Sequence, residues 1–203
     1  VKLTEKEARL RELYETLKDC RLCGLSEGRT NVVFGSGSAD ADLVLVGEAP
    51  GYNEDLQAEP FVGAAGKFLD ELLRDILSLA RDRIYIANVI KCRPPDNRDP
   101  SPVEVETCKP FLFRQLEIIS PVVVGTMGNF ATKTLTGRRE GITKLKRKAI
   151  KVGGIYVFPI YHPAAALHRG DLYDEVRQDF KALREFLESP RPSDDEPPQM
   201  ELF

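Results

Sequence analysis

The sequence predicts an α/β fold with three layers, α/β/α, around a central, mainly parallel four-stranded sheet. Two observations carry that prediction. Short apolar runs of strand length alternate with longer segments of helical periodicity, and each run stops at a glycine or polar turn. Strands separated by helices imply right-handed βαβ crossovers and a parallel sheet covered on both faces.

The elements follow in order. Residues 4–18 read as an amphipathic helix with Leu10, Leu13, Tyr14 and Leu17 on one face; Thr4 and Glu7 are spaced as a capping box. Residues 42–46, DLVLV, form the first strand and end in Gly47. Residues 64–79 follow as a helix with Phe68, Leu69, Leu72, Leu73 and Ile76 inward. Residues 83–88, RIYIAN, are the second strand, and 102–118 a helix with proline in its first turn. Residues 121–124, PVVV, form the third strand before Gly125, residues 155–160 the fourth, and 172–187 the closing helix. GSGSAD, residues 35–40, precedes the first strand instead of following it, so it reads as a loop and not as a dinucleotide turn.

With 203 residues, 42% apolar and 30% charged, the chain suits one globular domain, expected over residues 1–188. Residues 189–203 form an acidic, proline-rich tail expected to be disordered. No apolar run approaches the ~20 residues of a membrane span, and no signal peptide is evident, so a cytoplasmic monomer without membrane contact is expected. The net charge is −3. The tail, with one arginine against four acids, carries all of it, which leaves the body near neutral. Within that body Arg138, Arg139, Lys144, Lys146, Arg147, Lys148 and Lys151 fall within fourteen residues, a run compatible with phosphate binding.

The four cysteines are Cys20 and Cys23 in a C-x2-C pair, then Cys92 and Cys108 with fifteen residues between them. In an intracellular chain such a set reads as one metal or cluster site that clamps the N-terminal segment to the middle of the fold. Soft thiolates select zinc or an iron–sulfur cluster, and the long second gap disfavours two tight zinc knuckles.

Ligands of parallel sheets bind at the carboxyl ends of the strands. There the loops GEAPGYNEDLQAEPFVG, NVIKC and YHPAAALHRG hold Glu48, Glu54, Asp55, Phe61, Asn88, His162 and His168. Carboxylates, an amide, an aromatic ring and histidine on one rim form a hydrolytic or base-recognising set.

These motifs closely resemble those of the family 4 uracil-DNA glycosylases, the iron–sulfur branch of their superfamily. The resemblance rests on GEAPG with a following Glu-Asp, on PFVG, on the asparagine before KCRPP, on the four cysteines in order, and on HP after the fourth strand; it covers Cys20 to the closing helix. It implies a [4Fe-4S] cluster on Cys20, Cys23, Cys92 and Cys108, and excision of uracil from DNA. Phe61 would stack on the flipped base and Asn88 would read its O4 and N3–H. His162 would stabilise charge growing on O2, helped by backbone N–H groups around Glu48 and Ala49. Superfamily relatives carrying aspartate in the place of Ala49 use it on the attacking water; here that task, or stabilisation of the sugar cation, falls to Glu54, or else the water is held largely by backbone. Leu167 would enter the duplex as an apolar wedge, with His168 and Arg169 on phosphates.

The terminal QMELF resembles the short peptide by which bacterial repair proteins hook onto the sliding clamp, with Gln199, Leu202 and Phe203 as its contacts. Two rival functions are weaker. Some relatives trap uracil-DNA covalently through a histidine near the cluster, and the segment between Cys92 and Cys108 has none. A redox carrier would fit four cysteines, but no flavin or nicotinamide fingerprint accompanies them.

Overall fold

The computed structural model describes residues 3–189; the tail from residue 190 on, with its QMELF contacts, lies outside them. The sheet has six strands, not four: β1 (Ser36–Gly37), β2 (Leu43–Gly47), β3 (Tyr85–Asn88), β4 (Val123–Met127), β5 (Ile150–Val152) and β6 (Ile155–Ile160). Their order is β1-β3-β2-β4-β6-β5. The inner four are the predicted parallel strands, and each edge carries a short antiparallel addition. The expectation that residues 35–40 form only a loop is thereby corrected: Ser36 and Gly37 pair with Ile86 and Tyr85. Gly37 takes φ +121, and its α-carbon lies so close to the Ile84 carbonyl that a side chain there would collide with it.

The pleat sends alternate residues to two cores. Val44, Val46, Ala87, Val124 and Val157 face one side, where they meet Leu10 and Leu17 of α1 (Glu5–Leu17) and Leu112, Leu116 and Ile119 of α5 (Pro102–Ile119). Leu43, Leu45, Ile86, Val123, Phe158 and Ile160 face the other. There they meet Phe68, Leu69 and Leu72 of α4 (Ala64–Leu72) and Val176, Phe180 and Leu183 of α9 (Tyr173–Glu188). The three-layer prediction therefore describes the molecule. The predicted helix over 64–79 is shorter than expected, since a π-helical turn at Leu73–Leu77 ends it at Ser78, which takes the left-handed conformation.

Two capping boxes set helix starts as the sequence requires: Thr4 with Glu7 in α1, and Ser101 with Glu104 in α5. Short helices fill the strand-end loops: α2 (Leu25–Gly28), α3 (Tyr52–Gln57), α6 (Asn129–Thr136), α7 (Ile142–Leu145) and α8 (Pro163–His168). Gly47 pairs with Asn88, and Met127 with Ile160, so the carboxyl ends of all four parallel strands finish together. That common edge positions the site. No helix among the described residues is long and apolar enough to cross a membrane.

Candidate functional site at the strand ends

Gly47, the last residue of β2, lets two side chains meet. A Cβ there would lie 2.4 Å from Asn88 Oδ1 and 2.7 Å from Phe61 Cζ, so only glycine leaves room for both. Asn88 ends β3 and is buried, and its Oδ1 has no hydrogen-bond partner. A buried, unpaired carbonyl oxygen costs about 1–3 kcal/mol, so a site that retains one is built to receive a donor. Phe61 is also buried, and its backbone takes φ +56, an unusual conformation for an aromatic residue. Two contacts hold it there. The Phe61 carbonyl lies against Gly66, where a Cβ would come within 1.8 Å of its oxygen. Arg81 Nη2 donates to the Pro60 and Phe61 carbonyls, both at 2.9 Å.

The Phe61 ring stands beside His162, with centroids 5.4 Å apart and planes inclined 27°. His162 is the N-cap of α8, and its Nδ1 accepts from the Ala164 N–H at 3.1 Å. That bond fixes the tautomer: the ring proton sits on Nε2. Part of the ring's surface is reachable, but the surrounding protein desolvates it and pushes its pKa down to about 4, the nearby Glu54 carboxylate opposing only weakly. His162 is thus a neutral donor at neutral pH. It lines a cavity of about 490 Å³ together with Glu48, Asp99, Asn129, Lys133 and Tyr161. Burial, reinforced by Asp99, holds the Glu48 carboxyl above its ordinary range.

Glu54, in α3, uses Oε1 to accept from the Val62 and Gly63 N–H groups, both at 2.9 Å. It braces the loop that carries Phe61, a role its motif position does not announce. Its other oxygen lies over Gly51, where a Cβ would approach within 2.8 Å. Glu54→Gln keeps an acceptor for the two N–H groups, whereas Glu54→Ala removes it. Thermal melting is therefore expected to separate them, with the alanine variant lower by about 1–3 kcal/mol and the glutamine variant close to the parent.

Asp55, grouped with the rim residues by sequence, points away from the site. Its carboxylate accepts from the Thr30 and Asn31 N–H groups at 2.9–3.1 Å, and Asn31 Nδ2 returns a bond to the Asp55 carbonyl at 2.8 Å. This ties the segment after the C-x2-C pair to the site loop. Cys20, Cys23, Cys92 and Cys108 line one small pocket with Leu17, Arg29 and Phe111. Arg29 Nη1 donates to Cys92 Sγ and the Lys91 N–H to Cys108 Sγ, both at 3.3 Å. Burial pushes the Cys92 thiol up, and that of Cys108 up to about 11. Among the described residues, no three His, Cys, Asp or Glu side chains are drawn tightly enough around one point for a single ion.

Leu167 and His168 are exposed at the end of α8, and Arg169 follows, paired with Asp171 at 2.7 Å. The basic run is less available than its composition implies. Lys146 pairs with Glu175, and Arg147 pairs with Glu175 and with the buried Asp179, at 2.9 and 2.5 Å. Arg138, Arg139, Lys144 and Lys148 remain exposed.

The model of the uracil DNA glycosylase superfamily matches residues 34–188. The type-4 uracil-DNA glycosylase of Sulfurisphaera tokodaii is 44% identical over 190 residues, 90% of this chain and 86% of that protein. That of Archaeoglobus fulgidus is 44% identical over 192 residues, covering 91% and 96%. The chain belongs to the type-4 uracil-DNA glycosylase family. A further member, from Thermotoga maritima, is 42% identical over 177 residues, covering 85% of this chain and 92% of its own. The family match spans Phe61, Asn88 and His162, the residues that the strand ends bring together. Gly47 and Arg81 were not legible as support residues, the glycine at a strand end giving the only hint, and Asp55 was legible on the rim but not as a brace for the Thr30 segment.

Proposed function

We propose that this chain is a uracil-DNA glycosylase that hydrolyses the N-glycosidic bond of deoxyuridine in DNA, releasing uracil and leaving an abasic site for base excision repair. The observation that carries this reading is the unpaired, buried Oδ1 of Asn88 beside the Phe61 ring. Uracil supplies the missing donor through N3–H, while Asn88 Nδ2 donates to O4. Cytosine offers an acceptor at N3 and a donor at C4, the reverse pattern, and would leave both amide atoms mispaired.

As the C1′–N1 bond breaks, its electron pair moves into the base and charge gathers on O2. The Nε2–H of neutral His162 donates to that oxygen, and backbone N–H groups around Glu48 and Ala49 add to the donor set. The sugar becomes cationic, water attacks C1′, and the proton that the water gives up passes through solvent to the uracil anion, which leaves neutral. Oε2 of Glu54, the oxygen not spent on the loop, orients that water or faces the cation. Leu167 enters the space left by the base, His168 meets phosphate, and Arg169 exchanges Asp171 for a phosphate. The exposed basic residues add salt-dependent affinity for the DNA backbone.

A [4Fe-4S] cluster suits the cysteine pocket. Four soft sulfurs line one pocket, and N–H donors already face two of them, as they often do at ligating thiolates. The cluster would pin residues 20–31 against the loop of Asp55, a structural contribution. Cys108→Ser is expected to lose visible absorbance and iron and to lower the melting temperature, read by iron assay and calorimetry. The terminal QMELF is proposed as a clamp hook from sequence alone. Deleting residues 199–203 is expected to abolish clamp pull-down and leave cleavage of free oligonucleotides unchanged.

The deciding experiment is cleavage of end-labelled DNA carrying one uracil, with thymine and cytosine controls, followed by alkali. Strand breaks only at uracil, with repeated turnover, are expected. A shifted band that survives denaturation would mean covalent trapping, and no product from cluster-loaded protein would overturn the reading.

A further inference from the structure

Lys91 is fully buried, and the chemistry above gives it no task. An ammonium out of water is costly unless its donors are met, and a methionine of similar length would fill the same space at less cost. Lys91 Nζ donates to the Asn88 carbonyl at 2.9 Å and to Gln115 Oε1 at 2.6 Å. Gln115 is anchored in turn, since its Nε2 donates to the Phe34 carbonyl at 2.9 Å and to the Tyr85 hydroxyl at 3.0 Å. The backbone of Lys91 faces the other way. Its N–H meets Cys108 Sγ, its carbonyl accepts from Val33 N–H at 2.8 Å, and Cys92 follows it directly. One residue therefore touches both the cysteine pocket and the main chain of the base-reading asparagine.

From this juxtaposition we infer that Lys91 is a positioning residue for base recognition: anchored at the cysteine pocket, it holds the Asn88 main chain so that the Asn88 amide is presented to the base. The inference rests on the reading of Asn88 given above. The peptide after Asn88 must turn sharply, because Val89 and Ile90 donate back to the carbonyls of Gly47 and Glu48. The Asn88 carbonyl takes no part in those bonds, and the hydrogen bond from Lys91 Nζ fixes its direction. The cysteine site would thus support recognition without joining the hydrolysis.

The test is a double-mutant cycle read by binding. The probe is a duplex carrying one 2′-fluoro-2′-deoxyuridine, in which the electron-withdrawing fluorine resists formation of the sugar cation; the control carries 2′-fluoro-2′-deoxycytidine. Lys91→Met is expected to retain iron and visible absorbance, to bind the uracil probe about tenfold more weakly, and to lose most of its preference over the control. In an Asn88→Ala background the same change is expected to have no further effect, because the side-chain amide that Lys91 positions through the main chain is gone. Unchanged binding in Lys91→Met, or an equal loss in both backgrounds, would overturn the inference. Should Lys91→Met fail to fold, Lys91→Gln, which keeps an N–H donor, enters the same cycle. A smaller loss that disappears with Asn88→Ala supports the inference, and an unchanged or additive result overturns it. Asn88→Ala alone reports on the base-reading role, since full affinity and preference in that variant would refute that role whatever Lys91 does.

Discussion

Asn88→Ala is expected to lower uracil excision by about 10²–10³ in kcat/KM while leaving the melting temperature unchanged or slightly raised. The two halves of that result have one cause. Asn88 Oδ1 has no partner within the fold, so removing the amide forfeits no protein hydrogen bond at that atom. Against the flipped base the same amide provides both recognition bonds, and its loss falls on the transition state. A structural asparagine would behave in the opposite way, losing stability and activity together. Asn88→Asp sharpens the test because it keeps the shape and replaces the donor facing O4 with an acceptor. Uracil excision should fall at least as far, and the ratio of uracil to cytosine cleavage should narrow, since the exocyclic amine of cytosine now meets an acceptor. Single-turnover rates on matched oligonucleotides, with calorimetry on the same preparations, check both halves. An alanine variant that melts several degrees lower and keeps its uracil preference would show that Asn88 holds the strand end and does not read the base.

What the sequence makes legible here depends on how local the determining physics is. The inner strands could be read because DLVLV and IYIAN are apolar runs bounded by turns, and burial on both sheet faces demands that composition. The edge strands could not. Ser36–Gly37 and Ile150–Val152 are two and three residues long, too short to show a period, and they exist because β3 and β6 present unpaired edges. The site residues were legible for a topological reason, since parallel strands bring their carboxyl ends to one rim and polar residues there stand out. Their roles were less so. Glu54 spends one oxygen on the Val62 and Gly63 N–H groups, and Asp55 turns to the Thr30 segment, choices made by the loop's fold and not by the motif. A lysine beside a cysteine reads as surface, and nothing local to Lys91 announces that it is buried with its amine on Gln115, twenty-four residues away. The basic run was read too generously for the converse reason: the carboxylates that engage Lys146 and Arg147 lie on α9, distant in sequence.

His162 should lose most of its effect on the chemical step when its Nε2–H is removed, and that effect should be insensitive to pH across the neutral range. His162→Leu is expected to reduce kcat by about 10²–10³, whereas His162→Asn, which can still present a donor, should fall less. The pH argument follows from the tautomer. Desolvation of the ring by the surrounding protein pushes its pKa down to about 4, and Nδ1 is already occupied as the acceptor of the Ala164 N–H. Activity that depends on neutral His162 should thus hold from pH 8 to about 5 and decline only towards 4. Stability is linked with a definite sign. The folded pKa lies below the ordinary value of 6.5, so between 6.5 and 4 the unfolded chain binds the extra proton, and stability falls as pH falls through that window, by roughly 3 kcal/mol at most. Glu48 works in the opposite sense just above its ordinary pKa, because its raised carboxyl takes up a proton more readily when folded. The difference between the parent and His162→Leu curves therefore isolates the histidine. Denaturant melts at closely spaced pH values should show the parent losing more stability than the variant below pH 6.5. A bell-shaped rate profile with a limb near 6.5, lost in His162→Leu, would mean that the ring titrates normally and works as a cation, and the neutral-donor mechanism would be wrong.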